Sequence, residues 1–296
     1  MKKYTVLILG VTGMLGHTLF NELSKNPELD VFGTARNING IKNVFQSDFS
    51  KKIRSNVDAE NFDSVNRAMA SIQPDIVINC IGLIKQLPIA NDPLSAVTVN
   101  AQLPHRISLI CKTAKARMIH ISTDCVFDGM TGGYQESDPS TANDLYGKTK
   151  YLGEVDYPHC LTMRTSIIGH ELKTRLGLVD WFLSQKEDIK GFTKAIYTGF
   201  PTVEIADIIS RWIIPNPDLS GLYHVSSAPI SKYDLLKIIA ERYDKKIHIE
   251  PSDEFKCDRS LNSERFQSQT GYSPPSWPEL VDKMYDHYHS SGLYTY

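Results

Sequence analysis

No stretch of this sequence approaches the roughly 20 consecutive apolar residues of a membrane span. The N-terminal Met1-Lys2-Lys3-Tyr4 runs into a short apolar segment, Val6 to Leu9, which Gly10 to Gly16 break up before it reaches the length of a secretory signal. The five cysteines, Cys80, Cys111, Cys125, Cys160 and Cys257, include no C-x-x-C pair, so neither a zinc site nor a disulfide framework is suggested. Charge of either sign is not in excess. A formal net charge of -2 gives no reason to expect nucleic acid or an anionic membrane as partner. These absences predict a cytoplasmic protein. What is present is ordinary globular material: 296 residues, 41% hydrophobic and 22% charged, enough for one large domain or two modest ones.

Short apolar runs rich in β-branched residues, Val6–Leu9, Val31–Thr34, Asp75–Asn79, Met118–Ser122 and Cys160–Arg164, alternate with helix-like stretches at 14–25, 59–72, 93–114 and 145–155. Continuous apolar runs of this length suit strands covered on both faces, and strand–helix alternation implies a parallel sheet with helices on either side. Asp92-Pro93 is a helix start, an acidic cap followed by proline. The reading is an α/β, doubly wound parallel sheet over residues 1–164. After Arg164 proline and glycine become frequent, and helices are expected at 178–185, 203–214, 232–243 and 277–289. Residues 165–296 are expected to form a smaller substrate-binding lobe with segments returning to the main sheet.

Gly10-Val11-Thr12-Gly13-Met14-Leu15-Gly16 follows the first strand and opens the first helix. Gly10 suits a tight turn, Gly13 lets backbone approach a pyrophosphate, and Gly16 lets the helix pack closely on the strand. The helix N-terminus then offers free N–H groups and a partial positive charge. About twenty residues on, an acidic side chain would hold the ribose 2′-hydroxyl of NAD. The sequence has Gly33-Thr34-Ala35-Arg36 there instead. A guanidinium can pair with a 2′-phosphate, which points to NADP(H); a solvated arginine at a strand end is the alternative.

Tyr146 and Lys150, four residues apart, share one helix face. A nearby ammonium and the cationic nicotinamide both favour the phenolate, so Tyr146 is expected to have its pKa lowered and to pass a proton to a carbonyl oxygen. Ser122-Thr123 ends a strand at the carboxyl edge where open α/β sheets bind ligands, and a hydroxyl there can bond the same oxygen. Asn79-Cys80-Ile81-Gly82 can approach the cofactor with small side chains and backbone.

These motifs together, G-x-x-G-x-x-G, Asn79-Cys80-Ile81-Gly82, Ser122-Thr123-Asp124-x-Val126-Phe127-x-Gly129 and Tyr146-Gly147-Lys148-x-Lys150, resemble the extended short-chain dehydrogenases. The S-T-D-x-V-F signature most resembles the dTDP-4-dehydrorhamnose reductase branch, and Arg164-Thr165-Ser166 and Leu261-Asn262-Ser263 extend the resemblance over nearly the whole chain. The resemblance implies a Rossmann-type fold and NADPH-dependent reduction of the 4-keto group of a nucleotide-diphosphate-linked 4-keto-6-deoxy sugar, in deoxysugar and cell-surface polysaccharide biosynthesis. It implies Thr123, Tyr146 and Lys150 as catalytic residues. On the cofactor side it implies Gly10, Thr12, Gly13, Met14, Leu15, Gly16 and Arg36, with Asp48-Phe49 by the adenine. Cys80, Ile81, Gly82, Ser122, Tyr146, Lys150, Arg164 and Thr165 complete that side. Asn100 either supports the lysine through a water or is a buried structural asparagine. On the substrate side stand Thr123, Cys125, Val126, Ser166 and Ile167, with Thr165-Ser166 by the nicotinamide. Lys85 either lines the cleft or is a solvated lysine, and Arg259 either holds the substrate pyrophosphate or is solvated. A homodimer is compatible with the sequence.

Two departures bear on the sugar. Many rhamnose-forming members carry tyrosine where this chain has Cys125 and tryptophan where it has Ile167. The smaller residues leave volume for a 2-acetamido group, as on a UDP-linked N-acetylhexosamine, unless Phe192 or Tyr197 refills it. Rival readings are a nucleotide-sugar dehydratase or epimerase on the same scaffold, and a non-catalytic NADP-binding regulator. Against the dehydratase, Cys125 stands where the resembling dehydratases have glutamate.

Overall fold

The apolar runs form strands because both faces are covered. The computed structural model describes residues 3–39 and 44–294, which leaves Met1 and Lys2 outside. In β1 (Tyr4–Leu9) Val6 and Ile8 enter one apolar cluster and Leu7 and Leu9 the other, all fully buried. Alternation disappears from the sequence because neither face is solvated. The other strands of the sheet are β2 (Leu29–Thr34), β3 (Ile53–Arg54), β4 (Ile76–Asn79), β5 (Arg117–Thr123), β6 (Cys160–Thr165) and β7 (Gly221–His224). They lie in the order β7-β6-β5-β4-β1-β2-β3, every pair parallel. The fold is thus a doubly wound α/β sheet of the Rossmann type. The chain runs outward from β1 to β3 and then crosses back to β4, so the carboxyl ends of β1 and β4 form the topological switch point where such sheets bind ligands.

Helix α1 (Met14–Ser24) packs on the first face through Leu15, Leu19, Phe20 and Leu23. The opposite face is covered by α2 (Phe62–Ile72) and by the helical stretch α3 over 93–114, through Val65, Met69, Leu103 and Ile107. The Asp92 carboxylate caps α3 by accepting from the Ser95 amide at 2.8 Å. Six residues of α3, Val97–Gln102, are wound as a π-turn, a local widening that carries Asn100 inward. Helix α4 (Leu145–Leu152) is capped by Asp144, whose Oδ1 accepts from the Gly147 amide at 2.7 Å. Among the described residues no helix is long and apolar enough to cross a membrane.

Beyond β6, helices Leu178–Ser184, Thr202–Ile208, Lys232–Arg242 and Trp277–Ser290 lie close to the expected positions. Ser231 caps the third of them, accepting from the Asp234 amide at 3.0 Å. Val179, Ile205, Leu235, Trp277 and Leu280 join the same apolar cluster as α1, so these helices pack over the α1 face of the sheet.

Candidate active site

The glycine loop takes the shape its sequence anticipates. Gly10 has φ +88°, a left-handed conformation that favours glycine, and the amides of Gly10 and Val11 both donate to the Thr34 carbonyl, at 3.2 and 2.9 Å. A Cβ on Gly16 would stand 2.1 Å from the Gly10 oxygen, so α1 can start this close to β1 only with glycine there. Gly13 differs. A Cβ on it would meet nothing nearer than the Gly10 oxygen at 3.7 Å, and it is the uncapped first residue before α1. Among the described residues no packing requires glycine at that point. Its bareness fits a group that arrives from outside, as a pyrophosphate on a helix N-terminus does. Thr12 and Met14 are half-buried at the rim, while Leu15 buries its side chain in the core and offers only backbone.

Arg36 is exposed immediately past the carboxyl end of β2. Asp48 and Phe49, expected by the adenine, precede β3. Asp48 and Phe49 lie in a short helix, Ser47–Ser50, that enters β3 and does not leave it; Asp48 is exposed and pairs with Lys51 at 3.0 Å, and Phe49 packs on the core. The residues that leave β3 are Asn56 and Val57, and they stand next to Arg36. The Asn56 amide donates to the Arg36 carbonyl at 3.2 Å and the Val57 amide to the Ala35 carbonyl at 3.1 Å. Sequence reading placed this edge too early because β3, at two residues, has no apolar run to mark it.

The carboxyl end of β5 gathers Thr123, Tyr146 and Lys150. A Cβ on Gly147 would stand 2.2 Å from the Cys125 carbonyl oxygen, so this glycine is what lets α4 press onto the turn after β5 and bring Tyr146 to Thr123. Tyr146 is close enough to Thr123 for the threonine hydroxyl to favour its phenolate. Thr123 Oγ1 also accepts from the Cys125 amide at 3.1 Å and donates to Asp124 Oδ1 at 3.2 Å. The expected lowering of the Tyr146 pKa is not found. Burial raises it, reinforced by the neighbouring Cys125, and the Thr123 hydroxyl only partly opposes this. The Lys150 ammonium donates to the Ile121 carbonyl at 2.7 Å. Burial lowers the Lys150 pKa to about 8, against the opposing pull of Glu154 and Cys80. The phenol is therefore held protonated, the form that donates.

Four further expected ligands have partners within the chain. Ser122 Oγ donates to Glu154 at 2.6 Å, away from the cleft. Arg164, 2% exposed, spans the same carboxylate with Nε and Nη2, both at 2.8 Å, and reaches His224 Nε2 at 3.2 Å. This buried guanidinium is thus paired with Glu154 and His224 inside the scaffold. Val126 is fully buried against Phe127, Tyr134 and Leu261. The fourth is Asn100, whose Oδ1 accepts from the Leu83 amide at 2.8 Å and whose Nδ2 donates to the Leu83 carbonyl at 3.0 Å. It clamps the segment after Cys80-Ile81-Gly82. Ile81 and Cys80 line the other side of the switch point, Ile81 against Gly10 and Cys80 near Lys150. Thr165 is buried with its hydroxyl on the Ser166 carbonyl at 3.3 Å.

On the far side of Thr123, charged groups from distant parts of the chain converge. Arg259 Nη1 lies 3.7 Å from Cys125 Sγ and its Nε donates to the Phe127 carbonyl at 2.8 Å. Lys85 is exposed and close enough to Cys125 to favour its thiolate, although burial dominates and pushes the thiol up to about 11. Asp124, 7% exposed, has its carboxyl pushed up by burial, against the Arg259 charge and bonds from Cys125, Thr123 and Ser166. Ile167 is half-buried against the core. Tyr197, which has no motif to announce it, brings its hydroxyl against Ser166 and Gly199. Phe192 instead faces Phe255 at 5.4 Å. Glu154 was likewise invisible in the sequence, since its partners are Ser122 and Arg164 on other elements.

Comparison with known proteins shows the family. The family model described as the RmlD substrate binding domain matches residues 4–290. The chain is 26% identical to the dTDP-4-dehydrorhamnose reductase of Escherichia coli strain K12, over 94% of this chain and 96% of that protein. It is 29% identical to methionine adenosyltransferase 2 subunit beta of Bos taurus, over 95% of this chain and 89% of that one. In fold it is similar to the dTDP-4-dehydrorhamnose reductase of Bacillus anthracis solved in complex with NADP, with a TM-score of 0.78, 22% identity and coverage of 96% and 98%. With the match running from β1 to the last helix, the chain belongs to the RmlD substrate binding domain family.

Proposed function

We propose that the chain is an NADPH-dependent oxidoreductase that reduces the keto group of a nucleotide-linked sugar and, at the finer level, the 4-keto group of a 4-keto-6-deoxy sugar nucleotide. The observation that carries this reading is the placing of Tyr146 against Thr123 at the carboxyl end of β5, with the cations Lys85 and Arg259 acting on the neighbouring Cys125. Backbone N–H groups at the start of α1 would hold the cofactor pyrophosphate and Arg36 its 2′-phosphate. The bound cofactor supplies the hydride. Tyr146, kept protonated by burial, gives its proton to the carbonyl oxygen, which the Thr123 hydroxyl holds in place. Lys150, on the same face of α4 as Tyr146 and anchored on the Ile121 carbonyl, would supply positive charge as the phenol loses that proton. Lys85 and Arg259 hold the substrate diphosphate.

Similarity to the reductases supports the enzymatic reading. Similarity to the methionine adenosyltransferase subunit supports a second one, in which the chain binds the dinucleotide and serves a partner. The two part on turnover, since only the first consumes NADPH.

For the sugar, Tyr197 brings its hydroxyl against Ser166, next to Ile167, while Cys125, with Arg259 at 3.7 Å from its sulfur, is smaller than the tyrosine many rhamnose-forming members carry there. That supports a UDP-linked 4-keto-6-deoxy-N-acetylhexosamine over dTDP-4-dehydrorhamnose. Comparing kcat/KM for the two with NADPH tests the preference. A higher value for the rhamnose precursor would overturn it and leave the reductase reading intact.

A further inference from the structure

The end of the chain folds back onto the helix that leaves the glycine loop. His17, in the first turn of α1 and fully buried, uses both ring nitrogens. Nδ1 lies 2.9 Å from the Gly13 carbonyl oxygen and Nε2 lies 2.7 Å from the Tyr294 hydroxyl, 277 residues away in sequence. A carbonyl only accepts, so Nδ1 carries the proton; Nε2 then presents a lone pair and the tyrosine O–H donates to it. Burial agrees with one proton on this ring, since it pushes the His17 pKa down to about 4. The hydrogen bonds therefore run in one direction, from Tyr294 through His17 to Gly13.

Their target is the bare residue of the loop. The Gly13 oxygen also accepts from the His17 amide at 3.0 Å, so both of its lone pairs are engaged on the helix side. In a planar trans peptide the C=O and the following N–H point in opposite directions. Holding the Gly13 oxygen inward thus holds the Met14 N–H outward, toward the space that no side chain fills. A second arm reaches the same mouth. The Tyr294 ring lies edge-on to His170 at 5.4 Å; His170 bonds Asp180 at 2.6 Å, and Asp180 accepts from the Glu171 amide at 2.7 Å. Glu171 in turn holds the amides of Leu176 and Gly177 at 2.7 and 2.9 Å. Gly177 sits on Met14, whose Cε would be 2.6 Å from a Cβ placed there.

We infer that Tyr294 is a positioning residue for cofactor binding: its hydroxyl, through His17, fixes the orientation of the Gly13–Met14 peptide that receives the phosphates. This rests on reading the glycine loop as the NADPH site.

The test is NADPH titration of the intact protein, by calorimetry, alongside thermal melting. Tyr294→Phe keeps the ring against His170 and removes only the hydroxyl. It is expected to weaken NADPH binding about fivefold, the worth of one net hydrogen bond, with little change in Tm. His17→Asn keeps a donor for Gly13 but cannot reach Tyr294, so it should weaken binding similarly, and the double variant should be no weaker than either single one. NADPH affinity in Tyr294→Phe equal to that of the unmutated protein, or additive losses in the double variant, would overturn the inference. If His17→Asn does not fold, Tyr294→Phe decides alone. Failure of the unmutated protein to bind NADPH would instead remove the reading of the loop itself, and the inference with it.

Discussion

Lys150 points its ammonium at the backbone of the strand that ends in Thr123, donating to the Ile121 carbonyl at 2.7 Å. The lysine is 5% exposed, and its burial is what makes its charge titratable near neutrality.

The pH dependence follows from that relationship. With a pKa lowered to about 8, Lys150 is an ammonium below that pH and a neutral amine above it. If the charge assists Tyr146, kcat/KM for keto-sugar reduction should fall as pH rises through about 8, because kcat/KM reports the free enzyme. Lys150→Arg, always charged, should remove that descending limb even if its overall rate is lower. A profile measured from about pH 7 to about pH 10 that stays flat in the unmutated protein would show the charge to be dispensable.

Cofactor choice is the second expectation. Arg36 is exposed past β2 with no carboxylate beside it in sequence, so its partner is to come from the ligand. NADPH should bind more tightly than NADH by roughly ten- to a hundredfold, and Arg36→Ala should remove most of that margin while leaving NADH affinity in place. Titrating both cofactors against both proteins decides it. Equal affinities in the unmutated protein would remove the case for NADP.

A third expectation concerns stability. Arg164→Ala would leave Glu154 ionised, largely buried and without its ion-pair partner, at a cost of about 3–5 kcal/mol in unfolding free energy. Pairing Arg164→Met with Glu154→Gln should recover much of the loss, since no uncompensated charge then remains. Urea unfolding measures both. A loss below about 1 kcal/mol for Arg164→Ala would mean that the pair is not the scaffold described above.

How much of this was legible in the sequence depended on whether a residue's partners were local. The buried strands announced themselves because continuous apolar runs such as Val6–Leu9 have few other uses. β3 and β7 did not; Ile53–Arg54 and Gly221–His224 are strands because β2 and β6 offer them edges, and little in their own pattern says so. Helix Glu264–Thr270 escaped notice because only Phe266 on it is buried. The same division holds in the site. Gly10, Gly13, Gly16, Thr123, Tyr146 and Lys150 form local motifs and could be read directly. Ser122 and Arg164 sit inside such motifs yet serve Glu154, which only the folded chain brings to them. The direction of the Tyr146 pKa was missed for the same reason: the sequence shows a lysine four residues away but not the burial that raises the phenol.

The central claim is that Tyr146, placed by Gly147 against Thr123, donates the proton in an NADPH-dependent keto-sugar reduction. Its most direct test measures NADPH consumption against 4-hydroxy product for a panel of dTDP-, UDP- and GDP-linked 4-keto-6-deoxy sugars, in the unmutated protein and in Tyr146→Phe. At least one sugar should be reduced with equal amounts of NADPH lost and product formed. Tyr146→Phe should lower that rate by roughly 10²–10⁴-fold while still binding NADPH. Near-normal turnover in Tyr146→Phe, or NADPH binding without reduction of any sugar on the panel, would contradict the account.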